Sequence, residues 1–470
     1  MINLILLLIV PLIGISYILF EQLSGRGLSP DKISFITMGI TAAVLLSGLM
    51  YGFIPFNLNI NSAVDFSLSL NINFITIPFL LLVVVLPIPI LYFASNEIKE
   101  NKPMFYLFYL LVYSSAVGVF ISSNLIFFFL FWEVAVLSLF FMMSLWGKTI
   151  KSRKAGMKFL VFTQFGSLTL LAVFILLFVY TGSFNFYTIA SKMSSVPLYI
   201  EYVSFFLLLI TVMIKMPVFP LHEWLPDAYY YSPTPVTMFL SGILSKFGGF
   251  AFILFGFGLF RNILINLRIP LVLLGVLAAI YIALVASGQR DLKMLFSYSS
   301  MFYMALVFIG VSSGMTVAVS GAVLLMISHG FVITLLFGIS YILLQRTGTN
   351  ETGKLGGLTS RMPLLSIFFM LAVFASLGIP GLSNFPGELL IFIGTYSVAG
   401  ISLIAIFGIM ISTNYYLRAL KEAMFGHLQN KLSGIKDLNR TEVLVFLFIS
   451  FFILLIGVFP SLLTGVLGGL

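Results

Sequence analysis

Glu133, Lys215, Lys246, His329 and Glu388 each stand within an apolar stretch long enough to cross a bilayer. Charge is otherwise kept out of these stretches almost completely. An acid or base at membrane depth costs roughly 2.5–3.5 kcal/mol on insertion scales, so each one needs a reason to be there. Carboxyls, amines and an imidazole all take up and release protons, and the imidazole does so near neutral pH. Spread along the chain in this way, they are the ingredients of a proton path.

Each residue has a plainer explanation to set beside that one. Glu133, in FFFLFWEVAVLSLFF, could be a protonated acid bonded to a neighbouring helix; it lies about 10 residues into its stretch, near the bilayer midplane. Lys215 could snorkel to the interface, as lysines near helix ends do. The adjacent Pro217 favours a hydrated cavity instead. Lys246, in SGILSKFGGFAF, is about 12 residues from either end of its stretch, too deep for snorkelling. Gly242, Gly248 and Gly249 around it permit close helix packing. A lone histidine such as His329 is often a satisfied core residue, and Glu388 could cap a helix. Together, five such groups point to function.

Composition fixes the setting. Of 470 residues, 60% are hydrophobic and 8% charged, which excludes an ordinary soluble domain. Apolar segments fall near 1–20, 33–54, 71–95, 103–122, 124–146, 156–181, 200–220, 233–258, 267–287, 294–311, 316–344, 363–397, 399–420 and 443–467. The pattern predicts an all-α polytopic membrane protein of about 14 transmembrane helices, and the first segment reads as a helix, not a removable signal. With loops taken alternately, nineteen of the 24 basic residues fall on one side. Only Lys192, Arg261 and Arg268 fall on the other, and Lys215 and Lys246 are buried. The basic side is then cytoplasmic, both termini lie outside, and the +9 charge needs no nucleic acid to explain it.

Two spans are interrupted. IKMPVFPLHEWLPDA, Ile214 to Ala228, holds Pro217, Pro220 and Pro226; GIPGLSNFPGELLIF, Gly378 to Phe392, holds Pro380 and Pro386. Proline removes a backbone donor and crowds the preceding turn, so both are predicted to be broken helices. Such breaks must be buried in protein or line a hydrated cavity. One lies beside Lys215 and the other beside Glu388, with five spans from one break to the next. An odd number of spans inverts the second copy, a transporter signature. The predicted division is residues 1–102 for the first three helices, 103–258 and 259–426 for two inverted five-helix repeats, and 427–470 for a loop and last helix.

Other chemistry finds little support. Cysteine is absent, which excludes disulfides and Cys-bound iron–sulfur clusters or zinc. His222-Glu223 starts like a zinc-protease motif, but Pro226 stands where the second histidine belongs. No metal site is expected, no phosphate-cradling glycine loop occurs, and the chain itself is predicted to hold no cofactor. A lipid-modifying enzyme would need acidic metal-binding clusters or polar interfacial loops, and the loops are too short.

FPLHEWLPDAYYYSPTPV with SGILSK downstream, GQRDLKMLFSYSS, ISHG and GIPGLSNFPGE follow one another in order. Over residues 103–426 the chain thereby resembles the antiporter-like membrane subunits of respiratory complex I, relatives of Mrp-type sodium/proton antiporters. Glu133 and Lys215 match the family's gating pair on the fifth and seventh helices. Lys246 matches the eighth-helix lysine, His329 the eleventh-helix histidine and Glu388 the terminal proton-exchange site. Several relatives carry lysine at this last position, and Glu388 resembles the M type instead. Ile333 and Tyr303 depart from common family choices, lysine at the first and glutamine or histidine at the second.

The resemblance implies a non-redox, proton-translocating subunit of an NADH:quinone oxidoreductase-type complex in the plasma membrane. Iron–sulfur clusters, flavin and quinone would sit on partners: L-, N- and K-like membrane subunits and a redox peripheral arm. It implies proton uptake from the cytoplasm toward Lys246 by way of Lys215, then transfer past His329 to Glu388 and release outside. Separating Glu133 from Lys215 would expose Lys246 to an unpaired charge. At 8–10 Å and an effective dielectric near 20 that contributes about 1.7–2 kcal/mol. The rival readings are an Mrp-type sodium/proton antiporter subunit and a membrane-bound hydrogenase-type complex.

Overall fold

The computed structural model describes residues 2–25, 27–61, 66–73 and 75–467. Thirteen of its helices, 18–32 residues long, are long and apolar enough to cross a membrane. In chain order they are Leu6–Ser24, Pro30–Tyr51, Thr76–Glu97, Lys102–Ile121, Leu125–Trp146, Ile150–Thr181, Leu198–Lys215, Thr234–Phe257, Arg261–Ser287, Leu292–Ser312, Thr316–Thr347, Gly400–Met424 and Arg440–Val458. The remaining segment, 363–397, is two shorter pieces, Pro363–Ser376 and Asn384–Tyr396. Counted as one broken helix, it is the twelfth of fourteen spans.

Both predicted breaks form, and the prolines divide the work. The seventh span stops at Lys215 and helix resumes at Trp224–Tyr231. Pro217, Pro220 and Pro380 lie in the gaps, where no helical donor is needed. Pro226 and Pro386 sit in the first turn of the resumed helices, where a missing N–H leaves nothing unpaired.

Helix starts follow local chemistry. Thr149 and Ser152 form a reciprocal capping box at the sixth span, and Asp291 accepts from the Lys293 and Met294 amides at the tenth. Between the second and third spans, Phe56–Asn61 pairs antiparallel with Phe66–Leu70, Phe56 opposite Leu70.

The chain forms two compact units. The first holds residues 1–215, 231–236 and 246–264; the second holds 216–230, 237–245 and 265–470. An aromatic cluster fills the first: Phe128 packs edge-on to Phe174 and Phe255, and Trp132 lies 5.4 Å from Phe247. In the second, glycines bring the eleventh span against the resumed half of the twelfth. A Cβ on Gly387 would lie 2.8 Å from the Leu325 amide nitrogen, and one on Gly321 2.8 Å from the Gly387 carbonyl oxygen. Only residues without side chains allow two backbones this close.

Three spans of this unit, the eleventh, twelfth and fourteenth, are tied together through Arg346. It donates to both oxygens of Glu442, at 2.7 and 2.5 Å, and to the carbonyls of Lys436 and Asp437. Asp437 in turn accepts from the Leu364 and Leu365 amides at the start of the twelfth span. The Arg346 and Glu442 side chains are only 18% and 7% exposed, so removing one strands the other. Arg346→Ala is expected to destabilise the detergent-solubilised protein by about 2–4 kcal/mol, read as a lowered thermal midpoint. An unchanged midpoint would contradict this role.

Candidate functional site

In the first unit the fifth, sixth and seventh spans bring three polar side chains together. Glu133 is half-buried, and its Oε2 accepts from Gln164 Nε2 at 2.6 Å. Its Oε1 is buried with no hydrogen-bond partner among the described residues. Lys215, the last residue of the seventh span, is buried, and its Nζ makes no hydrogen bond among those residues. The ammonium lies 5.0 Å from the centre of the Trp132 ring. A desolvated cation over an indole face gains about 2 kcal/mol or more.

Lys215 makes no hydrogen bond to Glu133, and its amine rests instead over the ring of Trp132, the residue just before that carboxyl. An acid and an amine that lie on neighbouring spans without a bond between them can be drawn together or parted at small structural cost. That is the property a gate needs.

Lys246 is completely buried in the eighth span. It stands in a short α-helical stretch, Ser245–Ala251, between two wider π-helical stretches, Leu240–Leu244 and Phe252–Phe257. Widened turns shift the face that a side chain presents and recur at functional positions. Nothing in the residue pattern of SGILSKFGGFAF signals them.

The second unit holds His329 and Glu388. His329 Nε2 pairs with Ser300 Oγ at 3.1 Å, and the Tyr303 ring lies 4.9 Å from the imidazole. One residue earlier, Ser328 Oγ donates to the carbonyl of Ser383 in the second break, at 2.8 Å. Glu388 is buried in the first turns of the resumed helix, and its Oε1 has no hydrogen-bond partner among the described residues.

The break also decides where that carboxylate lies. Gly378 has φ +63°, and a Cβ there would collide with the Glu388 carboxyl group. Gly378→Ala therefore combines roughly 1–2 kcal/mol of backbone strain with a displaced carboxylate. Its expected outcome is loss of most proton movement at normal membrane abundance, checked by vesicle acidification against immunoblot. Wild-type acidification would show that the carboxylate position is not critical.

One side of the break is covered by the last span, while Ile379, Pro380 and Gly381 remain exposed in this chain. A Cβ on Gly457 of the fourteenth span would meet the Gly381 carbonyl and Leu382, so the last helix packs onto the interrupted backbone.

Sequence reasoning alone missed Gln164, Trp132 and Ser300. Gln164 had a usable signal, a single amide inside LVFTQFGSLTLL. Trp132 directly precedes Glu133, but its role depends on where the seventh span ends. Ser300 is one of four serines in LFSYSSMFYMALVFIGVS, and only packing distinguishes it.

The family described as "NADH:quinone oxidoreductase/Mrp antiporter, TM" matches residues 122–412. The chain is 36% identical over 355 residues to NADH-quinone oxidoreductase subunit M of Rickettsia felis, covering 75% of this chain and 72% of that protein. Among solved structures it is similar to a chain of respiratory complex I from Thermus thermophilus with bound NADH, at TM-score 0.90 and 26% identity, covering 99% and 97% of the two chains. It is similar also to a chain of the membrane-bound sulfane sulfur reductase, an archaeal respiratory membrane complex. There the TM-score is 0.89 and the identity 25%, over 99% of this chain and 77% of that one.

Proposed function

The chain belongs to the NADH:quinone oxidoreductase/Mrp antiporter transmembrane family, and we propose that it is the M-type, proton-translocating membrane subunit of a complex I-like quinone oxidoreductase. It is a multi-pass membrane protein. Glu133 and Lys215 gate the path, Lys246 is the central exchanger, and His329 passes protons to Glu388 for release. Two inverted repeats, 103–258 and 259–426, supply the two halves. The membrane is the plasma membrane, with both termini outside and the basic loops in the cytoplasm.

Redox chemistry belongs to partners that carry flavin, iron–sulfur clusters and quinone. L-, N- and K-like subunits flank this one in the membrane arm. One observation carries the reading: Lys215 is a buried ammonium that faces Glu133 and Trp132 yet is bonded to neither. A purely structural lysine at that depth would be fully paired. Parting it from Glu133 changes the field on Lys246, and a change of about 1.7–2 kcal/mol moves a proton equilibrium by more than tenfold.

Mass spectrometry of the native assembly that co-purifies with the chain in mild detergent tests the assignment. Iron–sulfur and quinone-reducing partners are expected. Small antiporter subunits without a redox protein would make the chain a sodium/proton exchanger instead, and a ferredoxin- or sulfur-linked redox arm would change the electron donor.

A further inference from the structure

Around the second break lies a set of buried hydroxyls that the path described above does not use. Tyr303, on the tenth span, is buried and donates its hydroxyl to the carbonyl oxygen of Ser376. Ser376 ends the first half of the twelfth span, so its carbonyl has lost the helical donor that an unbroken helix would supply. The same tyrosine stacks at a tilt on His329, 4.9 Å between ring centres. Ser300, which holds His329 Nε2, lies one turn before Tyr303 on the same helix. The Glu388 carboxyl group lies against Gly378, two residues beyond the Ser376 carbonyl that holds this hydroxyl. Tyr416 pairs with Ser299 at 2.5 Å.

We propose that the Tyr303 hydroxyl is the proton relay between His329 and Glu388, parked on the Ser376 carbonyl at rest and turned onto the Glu388 carboxylate when a proton passes. This inference rests on the proton-translocating reading of the site. In the transfer step the phenol oxygen receives a proton from the His329 side as its own O–H bond breaks toward a Glu388 oxygen. Tyrosine is neutral before and after; the imidazolium becomes imidazole, and the carboxylate becomes a carboxylic acid. No oxidant or further reactant is involved. Rotation about the phenol C–O bond and the last side-chain torsions switches the acceptor, so the Ser376 carbonyl acts as a latch built from the helix break.

A merely structural tyrosine would instead cap the broken helix and fill space. Tyr303→Phe keeps the ring on His329 and removes only the hydroxyl; Tyr303→His restores a side chain able to pass a proton. Both are compared with Glu388→Gln as assembled complexes in membrane vesicles, with acidification normalised to complex abundance. The expected result is a loss on the order of 10²-fold in Tyr303→Phe, most of the rate regained in Tyr303→His, and no acidification in Glu388→Gln. Wild-type acidification in Tyr303→Phe, or equal losses in the Phe and His variants, would overturn the relay while a silent Glu388→Gln leaves the broader reading standing. Full acidification in Glu388→Gln would overturn both.

Discussion

Lys246→Met is expected to abolish proton translocation while the protein stays at its normal level in the membrane. Lys246 is wholly buried, in a stretch of helix flanked by widened turns. Methionine has similar length and adapts to irregular space, and exchanging a buried charge for an apolar group is often neutral or stabilising. Assembly should therefore survive, and what disappears is the exchangeable proton. A positioned acid–base group contributes about 10²–10⁴-fold, which sets the scale of the loss. Lys246→Arg sharpens the test, because a guanidinium keeps the positive charge but does not release its proton at physiological pH. Both variants should be inactive in vesicle acidification, whereas activity in the arginine variant would mean that only the charge matters.

The second large effect concerns Glu133 and Lys215. Glu133→Gln leaves the Lys215 ammonium with the Trp132 face as its main compensation, 5.0 Å away. Lys215→Met leaves Glu133 with its one bond from Gln164. If the pair is the proposed gate, either change removes the field it modulates, and each should lower redox-linked pumping at least tenfold. The double variant distinguishes a gate from two independent sites. Residues acting as a unit fail additivity, so Glu133→Gln/Lys215→Met should pump no more slowly than the slower single variant. Losses that multiply would show that the two residues act separately. The readout is acidification per unit of assembled complex.

The five titratable residues were legible because the bilayer makes them conspicuous: a charge inside an apolar run stands out in any reading frame. The two breaks were equally open to view, since Pro217, Pro220 and Pro380 cannot continue a helix. Most segment ends in the structure fall within a few residues of the hydropathy limits; the sixth span starts earlier, at Ile150, where the Thr149 and Ser152 box begins it, the ninth starts earlier, at Arg261, and the last ends earlier, at Val458. What the sequence hid are the partners. Gln164 meets Glu133 across 31 positions and Tyr303 meets Ser376 across 73, and no local periodicity encodes such pairings. The π-helical turns around Lys246 are hidden for a related reason, because they arise from packing and not from any one residue's propensity. Gly321 and Gly387 were visible as letters, but their use in pressing two backbones together needed the partner helix.

Tyr303 shows the limit from the other direction. The sequence marks it only as a departure from the glutamine or histidine of relatives, and the Ser376 carbonyl and the stacked His329 are what give its hydroxyl a task.

The most direct measurement is the number of protons moved per electron pair by the purified complex in sealed vesicles, comparing the unaltered chain with Lys246→Met at residual quinone-reductase turnover. A lower ratio in the variant is the expected result, because the protons carried by this chain would be missing while those of other subunits remain. An unchanged ratio would contradict translocation through this chain and leave it a structural member of the membrane arm.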